Sequence, residues 1–350
     1  MNMYSLLKEM KEIGASDLHI VPGVSPVFRV NGELRLSENE KITPERSKSL
    51  IYSLMTEGQR KKFEKYCEMD FSFGVSGIGR FRINVHYQRR SVACAIRLIP
   101  YNIPSLSDLN LPPILADLAL KEKGLILVTG PTGCGKSTTL AAMVEIINEK
   151  RACHIITIED PIEYLHSHKR SVVEQREVGE DTLSFASALK YALREDPDVI
   201  LIGEMRDLET IATAITAAET GHLILATLHT PDAPQAIDRV IDVFPPYQQP
   251  QVRTQLSSSL QAIISQRLLP RRDGKGRIPA VELLITTSAV SNLIRSDKIY
   301  QLYTTMETGS KFGMQTMDQA LRDLVKGGQI SLSVALRAAR DPKNLRESLR

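Results

Sequence analysis

"LILVTGPTGCGKST", residues 125–138, decides the fold of the second part of this 350-residue chain. An apolar run of strand length ends at a glycine, and the next residues match the pattern G-x-x-x-x-G-K-[ST]. Such glycines let backbone N–H groups turn toward phosphate oxygens at the start of a helix, whose dipole favours negative charge. Lys136 is predicted to reach the β- and γ-phosphates of a nucleotide, and Ser137 to offer its hydroxyl to magnesium. The predicted phosphate loop comprises Gly130, Pro131, Thr132, Gly133, Cys134, Gly135, Lys136, Ser137 and Thr138.

The segments that follow the loop alternate between helix-like and strand-like patterns. Fully apolar strands in such an alternation predict a parallel sheet covered by helices on both faces, which is an α/β fold. Beyond residue 248 the pattern is predicted to be mainly helical, with one basic loop, "RRDGKGR" (271–277). The predicted strands are "LILVTG" (125–130), "HIITIE" (154–159), "VILIG" (199–203) and "LILATLH" (223–229), the last clear strand.

Residues 1–100 predict a smaller α+β domain. An amphipathic helix ends near Gly14, and Thr43–Pro44 has the pattern of a helix start, with the helix continuing to about residue 56. The predicted strands are "DLHIV", "PVFRV", "ELRL", "RFRINV" and "VACAIRLI". Four prolines within "PYNIPSLSDLNLPP" (100–113) predict a linker over 101–122, which leaves 123–350 as the nucleotide domain with a C-terminal helical part.

Composition narrows the class of protein. A formal net charge of +3, 5% aromatic residues and no Trp are unfavourable for a nucleic-acid binder, so no nucleic-acid partner is expected. The four cysteines have no metal-ligand spacing and fit a reducing compartment. Charges interrupt the apolar residues at the start of the chain, and no segment approaches the roughly 18 apolar residues of a membrane span. The sequence predicts a cytoplasmic protein, which reaches a membrane only through a partner.

Two predicted strands end in carboxylates. "IITIEDPIEY" (155–164) carries Glu159, Asp160 and Glu163, and "VILIGEMRD" (199–207) carries Glu204. The carboxyl ends of parallel strands face the crevice that holds the phosphate loop, so these acids are predicted to share one site rather than to be solvated loop acids. An Asp commonly ends the second of these strands and helps to hold magnesium. Because Gly203 takes that place here, Glu204 must hold magnesium or position water, alone or with the 159–163 acids.

Two further pairs of residues are candidates. His222 and His229 flank the strand "LILATLH" and are predicted γ-phosphate sensors, although a lone His is more often structural. Arg82 and Arg97 lie 15 residues apart on predicted strands of the first domain. They are either surface arginines or cations supplied to phosphoryl transfer from outside the nucleotide domain.

Taken in order, these motifs resemble the Walker A, Asp box, Walker B and His box of the type II/IV secretion ATPase superfamily. Within it the chain resembles the type IV pilus retraction ATPases, the PilT branch. "ASDLHI" with "RVNGEL", "GRFRINVHYQRR" and "GMQTMDQALRDLV" (313–325) extend the resemblance over nearly the whole chain. It implies a RecA-like P-loop ATPase domain after a PAS-like domain, and ATP with Mg²⁺ as nucleotide and cofactor.

The resemblance also implies roles. Glu163 is implied as the general base for the attacking water, with Glu159 and Asp160 shaping its loop. Glu204 is implied as the acid near magnesium. His229 is implied as the γ-phosphate sensor, supported by His222. Arg82 and Arg97 are implied to reach the nucleotide of a neighbouring subunit.

A homo-hexameric motor is implied, which hydrolyses ATP to retract type IV pili and drive twitching motility. Its implied partners are an inner-membrane platform protein and a paralogous retraction ATPase, and its location is the cytoplasmic side of the inner membrane. One segment departs from the branch. Where the branch has "AIRNLIRE", linked there to retraction, this chain has "AVSNLIRS" (289–296), with Val290, Ser291 and Ser296 as the differences.

Three alternatives stay open at this point. A pilus assembly or type II secretion ATPase generally carries a further N-terminal domain and a four-cysteine zinc module, which these cysteines cannot form. A DNA-translocating RecA-like motor predicts a basic, aromatic-rich channel. A nucleotide-binding scaffold without hydrolysis is expected to lack Lys136, Glu163 or Glu204, and all three are present.

Overall fold

The computed structural model describes residues 2–30, 32–75, 77–99 and 102–349. Pro100 and Tyr101, where the predicted first domain ends and the predicted linker begins, lie outside the described residues. The chain forms two compact units, with the first ending at Asn102 and the second beginning at Ile103.

Within its described residues, the first unit is an antiparallel sheet with three helices. The strands are β1 (Asp17–Ile20), β2 (Val27–Val30), β3 (Glu33–Leu36), β4 (Glu68–Val75), β5 (Gly79–Gln88) and β6 (Ser91–Ile99), in the order β3-β2-β1-β6-β5-β4. The helices are α1 (Met3–Glu12), α2 (Pro44–Tyr52) and α3 (Glu57–Tyr66). Residues alternate across β5, so that Phe81, Ile83 and Val85 are buried while Arg82 is exposed.

Local capping explains where the prediction for this unit held. Thr43 caps α2 and Pro44 is its first residue, as predicted. The helix ends at Tyr52, short of residue 56, because Thr56 opens a second helix through a capping box with Gln59. Strand β4 and helix α3 were not predicted. The predicted strands correspond to β1, β2, β3, β5 and β6.

The second unit contains a seven-stranded sheet in the order β13-β12-β7-β11-β10-β8-β9. Neighbouring strands from β12 to β9 pair in parallel, and β13 is antiparallel to β12. The strands are β7 (Gly124–Thr129), β8 (His154–Glu159), β9 (Val172–Glu177), β10 (Val199–Ile202), β11 (Leu223–Leu228), β12 (Leu260–Pro270) and β13 (Arg277–Ile285).

Helices cover both faces of this sheet, as predicted. Leu125 and Leu127 of β7 pack in one apolar cluster, whereas Ile126 and Val128 pack in the cluster on the other face. The helices are α4 (Ile114–Ala119), α5 (Lys136–Lys150), α6 (Phe185–Ala192), α7 (Leu208–Glu219), α8 (Ala233–Asp242), α9 (Gln249–Ser259), α10 (Ser288–Arg295), α11 (Leu302–Thr308), α12 (Met317–Lys326), α13 (Leu332–Ala338) and α14 (Pro342–Ser348), with short 3₁₀ helices at Ile299–Gln301 and Ser310–Phe312.

The prediction of a mainly helical region after residue 248 is wrong for residues 260–285. These residues form the hairpin β12–β13, and the basic loop is its tip. Ser265 and Gln266 interrupt the apolar pattern of β12, but both are buried and hydrogen-bonded to Thr129 and Thr139. The strand conformation of β12 therefore depends on its pairing with β7 and not on an alternating hydrophobic pattern of its own.

The proline-rich segment packs within the second unit. Leu106, Leu111 and Leu115 are buried in the cluster that contains Ile126 and Val128. Residues 103–119 thus belong to the apolar core beside the sheet. Among the described residues, no helix combines the length and apolar character that crossing a bilayer requires.

Candidate nucleotide-binding and hydrolysis site

The predicted phosphate loop connects the end of β7 with the start of α5. Gly130 has φ +138°, and a Cβ atom there would collide with the carbonyl oxygen of Gln266 on β12. Gly133 and Gly135 have φ +78° and +95°, and a Cβ atom on either would meet nothing within 4 Å. The loop therefore packs closely against the sheet at its first glycine and faces open space at the other two, which leaves room for a phosphate chain.

Lys136 lies over this loop. Its side chain is buried, and Nζ donates to the carbonyl oxygen of Gly130 at 2.9 Å and to that of Pro131 at 3.3 Å. The hydroxyls of Thr138 and Tyr164 lie 3.0 Å apart and join the start of α5 to the segment that follows β8. The ammonium group is thus already at the mouth of the loop, where an anion would bind.

The carboxyl ends of β7, β8, β10 and β11 meet at a cleft of about 510 Å³. Because these strands are parallel, their following residues converge at one edge of the sheet. Within the described residues, the cleft brings together most of the predicted site: Thr132, Gly133, Gly135, Lys136, Ser137, Thr138, Glu159, Asp160, Glu163, Glu204 and His229. Pro131 and Cys134 line a smaller adjoining cavity on the loop.

The two glutamates of the segment after β8 have different surroundings. Glu159 accepts hydrogen bonds from Thr157 Oγ1 at 2.7 Å and from Gln175 Nε2 at 3.1 Å. Burial raises its pKa despite these bonds. Glu163 is exposed and lines the cleft. Glu159 thus supports the loop, whereas the Glu163 carboxylate is open to a water molecule.

Glu204 follows β10 and contacts the side chains of Arg206 and His229. Its Oε1 lies 2.5 Å from Nε of Arg206 and 3.2 Å from Nε2 of His229. Burial alone would raise the pKa of this carboxyl, but the Arg206 hydrogen bond and the nearby His229 hold it below its usual value. Glu204 is therefore an ionised carboxylate in the cleft at neutral pH.

The two predicted sensor histidines lie at opposite ends of β11. His229 follows the strand and lines the cleft. His222 precedes the strand, and its Nδ1 lies 3.0 Å from the carbonyl oxygen of Ala217 at the end of α7. The structure does not bring His222 to the cleft, because only the carboxyl end of a parallel strand opens there.

Comparison with known proteins places this site in a family. The family model "Type II/IV secretion system protein" matches residues 3–337. The chain belongs to the type II/IV secretion system protein family. It is 48% identical over 344 residues to the type IV pilus retraction ATPase PilT of Pseudomonas aeruginosa, which covers 98% of this chain and 100% of that protein.

Two further relatives support the assignment of this chain to the pilus retraction branch of the family. It is 46% identical to the type IV pilus ATPase PilU of P. aeruginosa over 99% of this chain and 91% of that protein. A crystal structure of the pilus retraction motor PilT with bound ADP has a TM-score of 0.92 at 53% identity and covers 99% of each chain. The predicted resemblance and the fold are confirmed, and the chain is an ATP-binding ATP hydrolase of the pilus retraction branch.

The donor atoms in the cleft of this secretion-family ATPase suit magnesium. The Ser137 hydroxyl and the Glu204 carboxylate offer oxygen ligands, which Mg²⁺ prefers. Among the described residues, no group of three or more His, Cys, Asp and Glu side chains is placed to hold a metal. A few protein oxygens beside a phosphate loop fit an ion that is bound mainly through water and substrate phosphates.

Arg82 and Arg97 lie in the first unit of the secretion-family ATPase and directly face each other on β5 and β6. Both are exposed. Nε of Arg97 donates to Oδ1 of Asp17 on β1 at 2.8 Å, so that its guanidinium is positioned by the neighbouring strand. The two side chains form one cationic patch on the face of an antiparallel sheet.

Sequence reasoning missed two supporting residues, Gln175 and Arg206. Gln175 on β9 holds both Glu159 and the carbonyl oxygen of Tyr164, and β9 was not predicted as a strand. Arg206 lies inside the quoted motif "VILIGEMRD" and pairs with Glu204. The positive charge of Arg206, two residues after Glu204, could have indicated this ion pair from the sequence.

Proposed function

We propose that this protein is a hexameric motor that hydrolyses ATP to power retraction of type IV pili. The observation that carries the proposal is the convergence of the phosphate loop, Glu163 and Glu204 in one cleft. Similarity to PilT over 98% of the chain supports retraction as the work that hydrolysis drives.

Hydrolysis follows from the geometry of the cleft. The phosphate loop and Lys136 hold the phosphate chain of ATP. The exposed Glu163 carboxylate accepts a proton from a water molecule, whose oxygen attacks the γ-phosphorus while the bond to the β–γ bridging oxygen breaks. ADP and inorganic phosphate are the products.

Magnesium and the sensor complete the proposed site. Ser137 and Glu204 would hold Mg²⁺, with Glu204 acting directly or through water. When bound, the ion neutralises charge that develops on the phosphate oxygens. His229 contacts Glu204 and would register whether the γ-phosphate is present.

Arg82 and Arg97 are proposed to act in a neighbouring subunit. Their exposed position on one sheet face suits a contact with a second copy of the chain. A cation supplied in trans stabilises the charge of phosphoryl transfer and makes hydrolysis depend on closure between subunits. A ring of six such sites would convert sequential hydrolysis into movement between its subunits.

The proposed location is the cytoplasmic side of the inner membrane, in contact with the pilus platform protein. A paralogous retraction ATPase is a proposed partner, because this chain is similar to both PilT and PilU.

The test is made in cells. The gene is deleted, the strain is complemented with wild type or Lys136→Ala, and surface pili and surface motility are measured. We expect excess pili and lost motility, rescued by wild type only. Bald cells would assign the motor to pilus assembly, and unchanged pili would assign it to secretion or DNA uptake.

A further inference from the structure

Arg277 is a cation in the nucleotide cleft that has no role in the proposed hydrolysis steps. It is the first residue of β13, is exposed, and lines both the cleft and the adjoining cavity on the phosphate loop. Its place on the hairpin is fixed, because it pairs with Pro270 on β12 and the adjacent turn is closed by a hydrogen bond from Arg271 N to Gly276 O at 3.1 Å.

The other two strong cations of the cleft are already engaged. Lys136 donates to two carbonyl oxygens of the loop, and Arg206 pairs with Glu204. Within the described part of the chain, no hydrogen bond or ion pair engages the side chain of Arg277. A guanidinium that lines an anion-binding cleft without a protein anion is available to the ligand.

The two cavities show which part of the loop Arg277 lies beside. The adjoining cavity has a described lining of residues 131–134 of the loop, His229, Pro231, Arg267, Leu268 and Arg277. Its second arginine, Arg267, donates to the carbonyl oxygen of Ala338. Arg277 therefore shares both cavities with His229, and it shares the larger cleft with Lys136 as well. Lys136 is expected to reach the β- and γ-phosphates, and His229 is the proposed sensor of the γ-phosphate, so Arg277 lies on the side of the cleft where the terminal phosphate is expected.

We infer that Arg277 binds the terminal phosphate of ATP in its own subunit and makes the cleft prefer ATP over ADP. The inference deepens the proposed function, since it assumes that the cleft described above holds the nucleotide. In this role Arg277 differs from Arg82 and Arg97, which are proposed to act on the neighbouring subunit.

Calorimetric titration of the 350-residue chain with AMP-PNP and with ADP tests the inference. We expect Arg277→Ala to weaken AMP-PNP binding by about tenfold or more while ADP binding changes by less than about twofold, as loss of a charge-assisted hydrogen bond to one phosphate predicts. Arg277→Lys, which keeps the charge but not the fork, should fall between wild type and Arg277→Ala. Lys275→Ala is the matched control, because Lys275 is an exposed cation of the same hairpin tip and lies outside the described lining of both cavities.

Unchanged AMP-PNP binding in Arg277→Ala would overturn the inference, and so would equal losses for AMP-PNP and ADP, which would place Arg277 at an inner phosphate. Retained ADP binding shows that the variant is folded. If Arg277→Ala does not fold, the AMP-PNP and ADP affinities of Arg277→Lys and Arg277→Gln are compared instead. At an ATP concentration too low to saturate Arg277→Ala, mixing it with Lys136→Ala protein should not raise ATP turnover, because both defects lie in one subunit's site. A rise in turnover on mixing would overturn the assignment to that subunit. These measurements use purified protein and do not depend on pili. If the affinities are as expected but the protein does not retract pili, only the proposed function is contradicted.

Discussion

Glu204 and His229, which follow the neighbouring strands β10 and β11, are in direct contact, with Oε1 of the glutamate 3.2 Å from Nε2 of the histidine. The acid proposed to hold magnesium and the proposed sensor of the γ-phosphate are therefore one unit. A magnesium ion bound by the Glu204 carboxylate would change the contact partner of His229, which is the proposed connection between the nucleotide and the segment that leads into α8.

Replacing His229 should separate nucleotide binding from turnover. We expect His229→Ala to retain ADP affinity and to reduce kcat by about ten- to a thousandfold, the range seen when one positioned polar group at a reaction centre is removed. Steady-state ATP hydrolysis and ADP titration measure the two quantities. His222→Ala is the matched control, since that histidine lies at the other end of β11, and a normal kcat in His229→Ala would remove His229 from the mechanism.

Glu163→Gln and Glu204→Gln should each bind ATP and fail to turn it over. Loss of a general base or of the carboxylate near magnesium is expected to lower kcat by about 10²–10⁴-fold. Glu209→Gln, an exposed glutamate in the first turn of α7, is the control. Tight binding with undiminished hydrolysis in either variant would take that residue off the catalytic list.

Subunit mixing tests whether Arg82 and Arg97 act in trans. Arg82→Ala and Lys136→Ala proteins should each be inactive, with an Arg82→Ala loss on the order of 10³ in kcat, as for other arginines supplied to phosphoryl transfer. A mixture should regain activity, because some sites then combine an intact loop with an intact arginine. Arg35→Ala, an exposed arginine on β3 of the same unit, is the control, and absence of recovery at every mixing ratio would argue against action in trans.

A charged cluster beside the cleft should make stability depend on pH. Burial alone would raise the pKa of Glu145, but hydrogen bonds from Lys169 and His166 hold it below its usual value. An acid with a lowered folded-state pKa contributes stability above its unfolded pKa of about 4.3 and loses it as pH falls through the folded value. Glu145→Gln should therefore lower the free energy of unfolding by about 1–3 kcal/mol at pH 7, from the worth of hydrogen bonds to a charged group.

Thermal melting of wild type and Glu145→Gln at a series of pH values measures this difference. The gap in Tm should be constant near neutral pH and narrow below about pH 4. A gap that widens on acidification would mean that the carboxylate is not stabilised by its neighbours. Glu149, which also contacts Lys169 but is more exposed, supplies the milder control Glu149→Gln.

The predictable parts of the structure are those that local sequence decides. Strand β7, the loop and the start of α5 follow from a short apolar run, glycines and a helix start. The hairpin β12–β13 could not be predicted in this way, because Ser265 and Gln266 fit a strand only once β7 supplies Thr129 and α5 supplies Thr139 as partners.

Within the site, the positions of several residues depend on strand direction and strand register, which the sequence alone does not specify. In the sequence, His222 and His229 are equally good candidates because both flank a strand. Only His229 lines the cleft, because it follows the carboxyl end of β11. Arg82 and Arg97 were predicted on two strands, whereas their direct opposition depends on the register of β5 against β6. Arg277 was hidden in a basic loop, and its place beside the phosphate loop depends on the hairpin.

Direct observation of fluorescently labelled pili in living cells tests the central claim, that hydrolysis in this cleft powers retraction. In a strain where this protein is the sole retraction ATPase, wild type should support repeated extension and retraction, and Glu163→Gln should support extension without retraction. Pili that retract at the wild-type frequency with Glu163→Gln, while the purified variant hydrolyses no ATP, would contradict it.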